Sequence, residues 1–213
     1  MAWSTLARLT AHGAVVERVA HGVYRLRGAP PSDHLELRAA WLQLAPAVPA
    51  WQRQAGSGVV SHRSAAALYG LGHLPADVHE FVLPRRRQSR RADVRLHRAG
   101  VEASDWAYVR GLPATRPARI VTDLLAAHED PEAVGQVVAD ALRGRLEQSA
   151  AVVRAVAPVA ARFGFPRDDG AALLGWLLDL TGAPERATWL SAARDAGSTP
   201  TGAHERPNLE KPW

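Results

Sequence analysis

Several residues in this 213-residue chain have the types and spacing to do chemistry. Ser61-His62 sets a hydroxyl beside a base. Neighbours on a starting helix are expected to point apart, and no Gly-x-Ser-x-Gly elbow surrounds them, so Ser61 reads as a helix cap. Gly56-Ser57 followed by Asp77 and Glu80 resembles the parts of a nucleotidyl-transfer site. That chemistry needs two carboxylates at i and i+2 on one strand face to share Mg²⁺. Asp77 and Glu80 are three apart, which puts them on opposite faces of a regular strand, and His79 holds the i+2 place. The nine histidines offer no pair at helical spacing with an acid partner, and there is no cysteine for thiol chemistry or zinc. Asp123 follows Arg119 by four residues, which a surface ion pair on one helix explains. No catalytic residue, metal or cofactor is expected, and the chain reads as a non-enzyme.

The basic residues form two clusters. Residues 14–28 read as two short strands around a turn at Ala20-His21-Gly22, carrying Arg18, Arg25 and Arg27. Arg25 and Arg27 share a face with Val23, Tyr24 and Leu26 take the other, and the spacing of Val16 and Val19 predicts a bulge. Such a hairpin is either the phosphate-holding wing of a winged helix-turn-helix or an ordinary hairpin with solvated arginines. The second cluster is Arg85, Arg86, Arg87, Arg90 and Arg91, expected in a loop between two strands. It is either a solvated turn or a contact for phosphate or an acidic protein, and no aromatics interleave to stack single-stranded bases.

These residues need elements to position them. Trp3, Leu6 and Leu9 form one stripe of a short helix ending at His12, and Gly13 stops it. Ala29-Pro30-Pro31 marks a linker, and Ser32 is expected to cap a sandwiched helix running to about Ala45. Val59-Val60, Val78–Leu83, Asp93–His97 and Asp105–Val109 read as strands, with Gly111-Leu112-Pro113 as a turn. Helices are expected at 62–69, 116–127, from Asp130, at 149–163 with a bend at Pro158, and at 169–181 and 184–195. A disordered tail is expected from Gly197 to Trp213.

Net charge is +5, divided as +9 over residues 1–120 and −4 over 121–213. That division suggests a front half facing a polyanion. The absence of cysteine fits a reducing cytoplasm, and neither a signal peptide nor a membrane span is expected. The most apolar stretch, Ala171 to Leu180, is too short to cross a bilayer.

Three segments in order carry a family resemblance: Glu-Arg-Val-Ala-His-Gly-Val-Tyr-Arg-Leu-Arg-Gly at 17–28, Val-Val-Ser-His-Arg-Ser-Ala-Ala-Ala-Leu-Tyr-Gly-Leu at 59–71, and Gly-Leu-Pro-Ala-Thr-Arg-Pro-Ala-Arg-Ile-Val-Thr-Asp-Leu at 111–124. Together they resemble the AbiEi family of type IV antitoxins. The resemblance implies a winged-helix DNA-binding domain that represses the antitoxin's own operon. It also implies an α/β domain that neutralises a nucleotidyltransferase toxin. Ser4, Thr5 and Arg8 on the first helix, with Arg18, Arg25 and Arg27 on the wing, are the expected contacts to double-stranded DNA. Where the family carries two helices before the recognition helix, this sequence has only residues 3–12 ahead of the hairpin. DNA binding is therefore expected to be weak if the N-terminus is truncated.

The expected architecture is α/β (α+β). A partial winged helix-turn-helix (1–30) is followed by a connecting helix (31–49) and a small mixed-sheet α/β antitoxin-like domain (50–128). A helical C-terminal region (129–197) and the tail (198–213) complete it. The alternative functions are a stand-alone winged-helix transcriptional regulator without a toxin, and a nuclease. The nuclease would need an acidic core with a nearby lysine on a sheet, which residues 130–213 do not offer.

Overall fold

A computed structural model of the chain describes residues 15–30 and 32–198. The expected helix at 3–12, with Ser4, Thr5 and Arg8, lies outside them, as does the tail beyond 198. Strands β1 (Val16–Ala20) and β2 (Val23–Leu26) form an antiparallel hairpin turning at Gly22, φ 73°. The expected bulge is present as a register shift between Arg18 and Ala20. Helix α1 (Leu35–Leu44) starts later than the expected Ser32 cap would place it. Ser32 Oγ bonds the Asp33 carbonyl, and His34, in the left-handed region at φ 56°, precedes the helix without a side-chain cap. As its apolar circumference requires, α1 buries Leu37, Ala39, Ala40, Trp41 and Leu44. The Trp41 indole N–H donates to the Gly58 carbonyl at 2.9 Å.

Beyond Gly58 the chain builds a five-stranded mixed sheet from β3 (Val59–Val60), β4 (His79–Leu83), β5 (Val94–Arg98), β6 (Trp106–Val109) and β7 (Leu112–Thr115), in the order β5-β4-β3-β7-β6. Helix α2 (His62–Tyr69) follows β3 and ends, as expected, on left-handed Gly70. The expected turn at Gly111-Leu112-Pro113 is corrected, because only Arg110 and Gly111 turn, at φ 48° and 79°, a two-residue loop of the mirror-image type. Val109 and Leu112 then close the hairpin, which leaves Pro113 opposite Tyr108 at a pair that exchanges no ladder bonds. A proline is tolerated there, and that is why the strand was hidden in the sequence. The loop between β4 and β5 is also more than a turn. These strands are parallel neighbours, so residues 84–93 must run back the full length of a strand. The five arginines therefore sit on a crossover.

The remaining helices are α3 (Pro117–Ala126), α4 (Pro131–Arg143), α5 (Ser149–Val156), α6 (Gly170–Leu180) and α7 (Arg186–Ser198). Asp130 and Asp169 cap α4 and α6 by accepting from the N–H groups of Ala133 and Ala172. The expected bend at Pro158 is a full end to α5 at Val156, followed by a 3-10 turn over Ala157–Phe163. Helix α7 continues to Ser198, past the expected start of the tail. Phe81, Val60, Leu112 and Ala114 from the sheet join Leu68, Ile120, Leu124, Leu173, Leu174 and Leu177 in one continuous core. Among the described residues no helix is long and apolar enough to cross a membrane.

Helices α4 and α6 touch at Gly135, where an added Cβ would overlap the Leu177 carbonyl and lie 2.9 Å from Thr181 Cγ2. Gly135→Ala is therefore expected to lower stability by about 1–3 kcal/mol through overpacking, read as a lower urea midpoint with an unchanged slope.

Candidate functional site

The register sorts the sheet into two unlike faces. Val60, Phe81, Leu83, Leu96, Leu112 and Ala114 point one way, into the core. The opposite face carries Glu80, Arg95, His97, Thr115 and Trp106 around Val59 and Val82. The Ser61 N–H donates to the Glu80 carbonyl at 3.0 Å, so Ser61 extends β3 by one residue on that polar face. All five strands thus contribute to one polar row.

At its centre is Glu80, 4% exposed. One carboxylate oxygen meets His97 Nε2 at 3.1 Å and Arg95 at 3.6 Å, and the other accepts from the Arg63 N–H at 3.1 Å. That last bond caps α2 from across the sheet. Ser61 occupies the cap position but makes no side-chain cap bond, which corrects the expected role. Its Oγ lies 3.0 Å from His62 Nδ1. The two side chains therefore meet rather than point apart, because His62 begins the helix at φ 51°. The His62 ring in turn stacks on His97, centroids 3.7 Å apart and planes 15° from parallel. Ser64 Oγ ties the same helix to β4 through Val78 O and the Glu80 N–H. Beside the stack, Arg119 holds Asp123 at 2.8 Å and Asp105 at 3.0 Å. Asp123 is buried, so the expected surface pair is corrected to an internal one, and its Oδ2 and the Thr115 hydroxyl have no partner among the described residues.

Asp77 lies ahead of β4, so strand alternation does not separate it from Glu80. Both line a cleft of about 110 Å³ with Arg63 and Arg95. Glu80's oxygens are already engaged there, so the pair is not two free carboxylates awaiting a metal. Among the described residues no group of three or more His, Asp or Glu is placed to hold a metal ion.

This arrangement falls within a known family. Residues 56–162, half of the chain, match the AbiEi antitoxin C-terminal domain. The chain belongs to the AbiEi antitoxin family. No curated protein is significantly similar to it. The match covers all five strands of the mixed sheet and helices α2 to α5, and with it the Glu80 cluster.

The basic residues of this AbiEi antitoxin are placed unequally. On the hairpin, Arg25 pairs with Glu17 across the strands, and the exposed Arg18 bonds the Ala20 carbonyl and His21 Nδ1 at 3.0 Å. Arg27 is exposed and has no side-chain partner among the described residues. On the crossover, Arg87 donates to the Leu44 carbonyl, and Arg91 binds Asp93 and Gln43. Arg85, Arg86 and Arg90 are exposed and unpartnered among the described residues. The carboxylates of the C-terminal helices are mostly engaged as caps or in ion pairs: Asp130, Asp169, Asp140, Asp179 and Glu185. Sequence reading missed Glu80 and His97 as a pair. The available signal was an acid directly ahead of the apolar run Phe81-Val82-Leu83, within one strand.

The cluster has a defined electrostatic state. Burial, reinforced by the neighbouring His97, pushes His62 down to about 4. Burial opposes the Glu80 charge, but the His97 hydrogen bond, the charge of His62 and the Arg63 N–H outweigh it and hold the carboxyl below its ordinary range. For Asp123 the balance reverses, and burial raises it against the Arg119 bond. Unfolded His62 takes up a proton near its ordinary 6.5, whereas the folded ring resists until about 4. The stability it contributes is therefore complete above pH 6.5 and lost as pH falls to about 4, by ~3 kcal/mol. His62→Asn keeps a residue that tolerates positive φ and removes the titrating ring. Urea midpoints at pH 7 and pH 4.5 should differ less in this variant than in the parent.

Proposed function

We propose that this AbiEi antitoxin represses its own operon through double-stranded DNA and neutralises a nucleotidyltransferase toxin encoded beside it, without being an enzyme. The observation that carries the reading is the AbiEi domain at 56–162 preceded by an arginine-bearing hairpin. The proposed DNA contacts are Arg18, Arg25 and Arg27, with Ser4, Thr5 and Arg8 ahead of them. Arg27 is free to meet phosphate, whereas Arg25 must first leave Glu17. Arg85, Arg86 and Arg90 offer a second polyanion or partner contact as they stand, whereas Arg87 would first have to leave the Leu44 carbonyl and Arg91 its Gln43 contact. The proposed location is the cytoplasm, and the proposed units are 1–30, 31–49, 50–128, 129–197 and 198–213.

Electrostatic binding to phosphate releases counterions, and log K against log salt falls by roughly 0.9 per contact. Arg27→Ala is expected to make that slope shallower on a duplex from the operon, and Arg25→Ala to change it less, since Glu17 competes for Arg25. Co-expression with the neighbouring nucleotidyltransferase tests the other half. Full-length chain should restore growth, and the double variant Arg25→Ala with Arg27→Ala should restore it equally while losing repression. Absence of rescue by any variant would favour a stand-alone regulator.

A further inference from the structure

The hairpin and the arginine crossover are far apart in sequence but joined through one side chain. Gln43, in the last turn of α1, donates from Nε2 to the His21 carbonyl at 2.7 Å, at the hairpin turn. Its Oε1 accepts from Arg91 Nη1 on the crossover. Arg91 also reaches Asp93 at 2.9 Å, and the next arginine inward, Arg87, holds the end of α1 at the Leu44 carbonyl. Between hairpin and helix lies an open groove of about 800 Å³, lined by Val23, Tyr24, Leu42, Pro46 and Val48 as well as His21, Gln43 and Arg91. Apolar contact across an open groove is non-directional and fixes no angle. Among the described residues, the directional link from α1 to the hairpin is the Gln43 amide.

We propose that Gln43 is a strut setting the hairpin's orientation, and that a phosphate anion taken up by Arg91 removes it. A phosphate oxygen is a much stronger acceptor for a guanidinium than a neutral amide oxygen. Arg91 keeps Asp93 on Nε and Nη2 and turns only Nη1 from Gln43 to the anion, so the amide is no longer braced from the crossover side. Coupling of this kind is reciprocal, so fixing the hairpin also favours the Arg91–Gln43 contact over anion uptake. The inference goes beyond the proposed function, and its readout requires neither DNA nor toxin.

The chain lacks cysteine, so two nitroxide labels can be placed cleanly on full-length protein at exposed Leu26→Cys and Ala126→Cys. The parent should give one narrow distance distribution. Gln43→Ala should broaden it. Gln43→Glu, which keeps the acceptor for Arg91 and loses the donor to His21, should broaden it as well. Arg91→Ala added to Gln43→Ala should broaden it no further, since the two act through one link. Inorganic polyphosphate should broaden the parent distribution and leave that of Gln43→Ala unchanged. A narrow distribution in both Gln43 variants would overturn the strut, and an unchanged parent in polyphosphate would overturn its release by anion.

Discussion

A carboxylate taken out of water costs several kcal/mol unless charges and donors compensate it on all sides, and Glu80 is placed where that compensation organises the whole domain. Its two oxygens reach His97 and Arg95 on β5 and the first turn of α2. Because it caps α2 from β4, the helix cannot shift along the sheet without exposing the acid. Because it holds His97, it fixes the platform on which His62 stacks. Sheet, helix start and histidine stack are thus one electrostatic unit. Removing the acid would leave an uncapped helix and two facing imidazoles without their anion.

A second layer of polar contacts ties this unit to the C-terminal helices. Arg63, on the turn that Glu80 caps, forms a two-pronged pair with Glu129 at 2.7 Å in the α3–α4 connection. Arg119 links α3 to Asp105 and the Gly100 carbonyl ahead of β6. These bonds use up charges that composition alone would assign to a partner. Among the described residues, the arginines left without a side-chain partner include Arg27 on the hairpin and Arg85, Arg86 and Arg90 on the crossover.

Most of the elements were legible because local signals agree with the fold: Gly70 after α2, Asp130-Pro131 before α4, and alternation in β2. What was not legible depends on partners distant in sequence. Ser61 has the type and position of a cap, but Glu80 reaches the helix N–H first, from 17 residues away. Asp123 and Arg119 have the spacing of a surface pair, and only the packing of α3 shows that they are internal. Pro113 signals a turn unless its place in the Tyr108 pair is known. The arginine run was visible as charge, but its path along α1 follows from β4 and β5 being parallel, which no spacing reveals.

The central strand, β3, has only two residues, paired on one side with 81–82 and on the other with 114. On the ribosome its second neighbour does not exist until the chain has grown by more than fifty residues, which at ~5–20 residues per second takes roughly 3–10 s. Until then Val59 and Val60 have an open flank, and the sheet cannot close. A newly made antitoxin domain therefore matures late in its own synthesis. The interval between translation and a finished sheet sets the earliest moment at which a freshly started message can contribute any folded product.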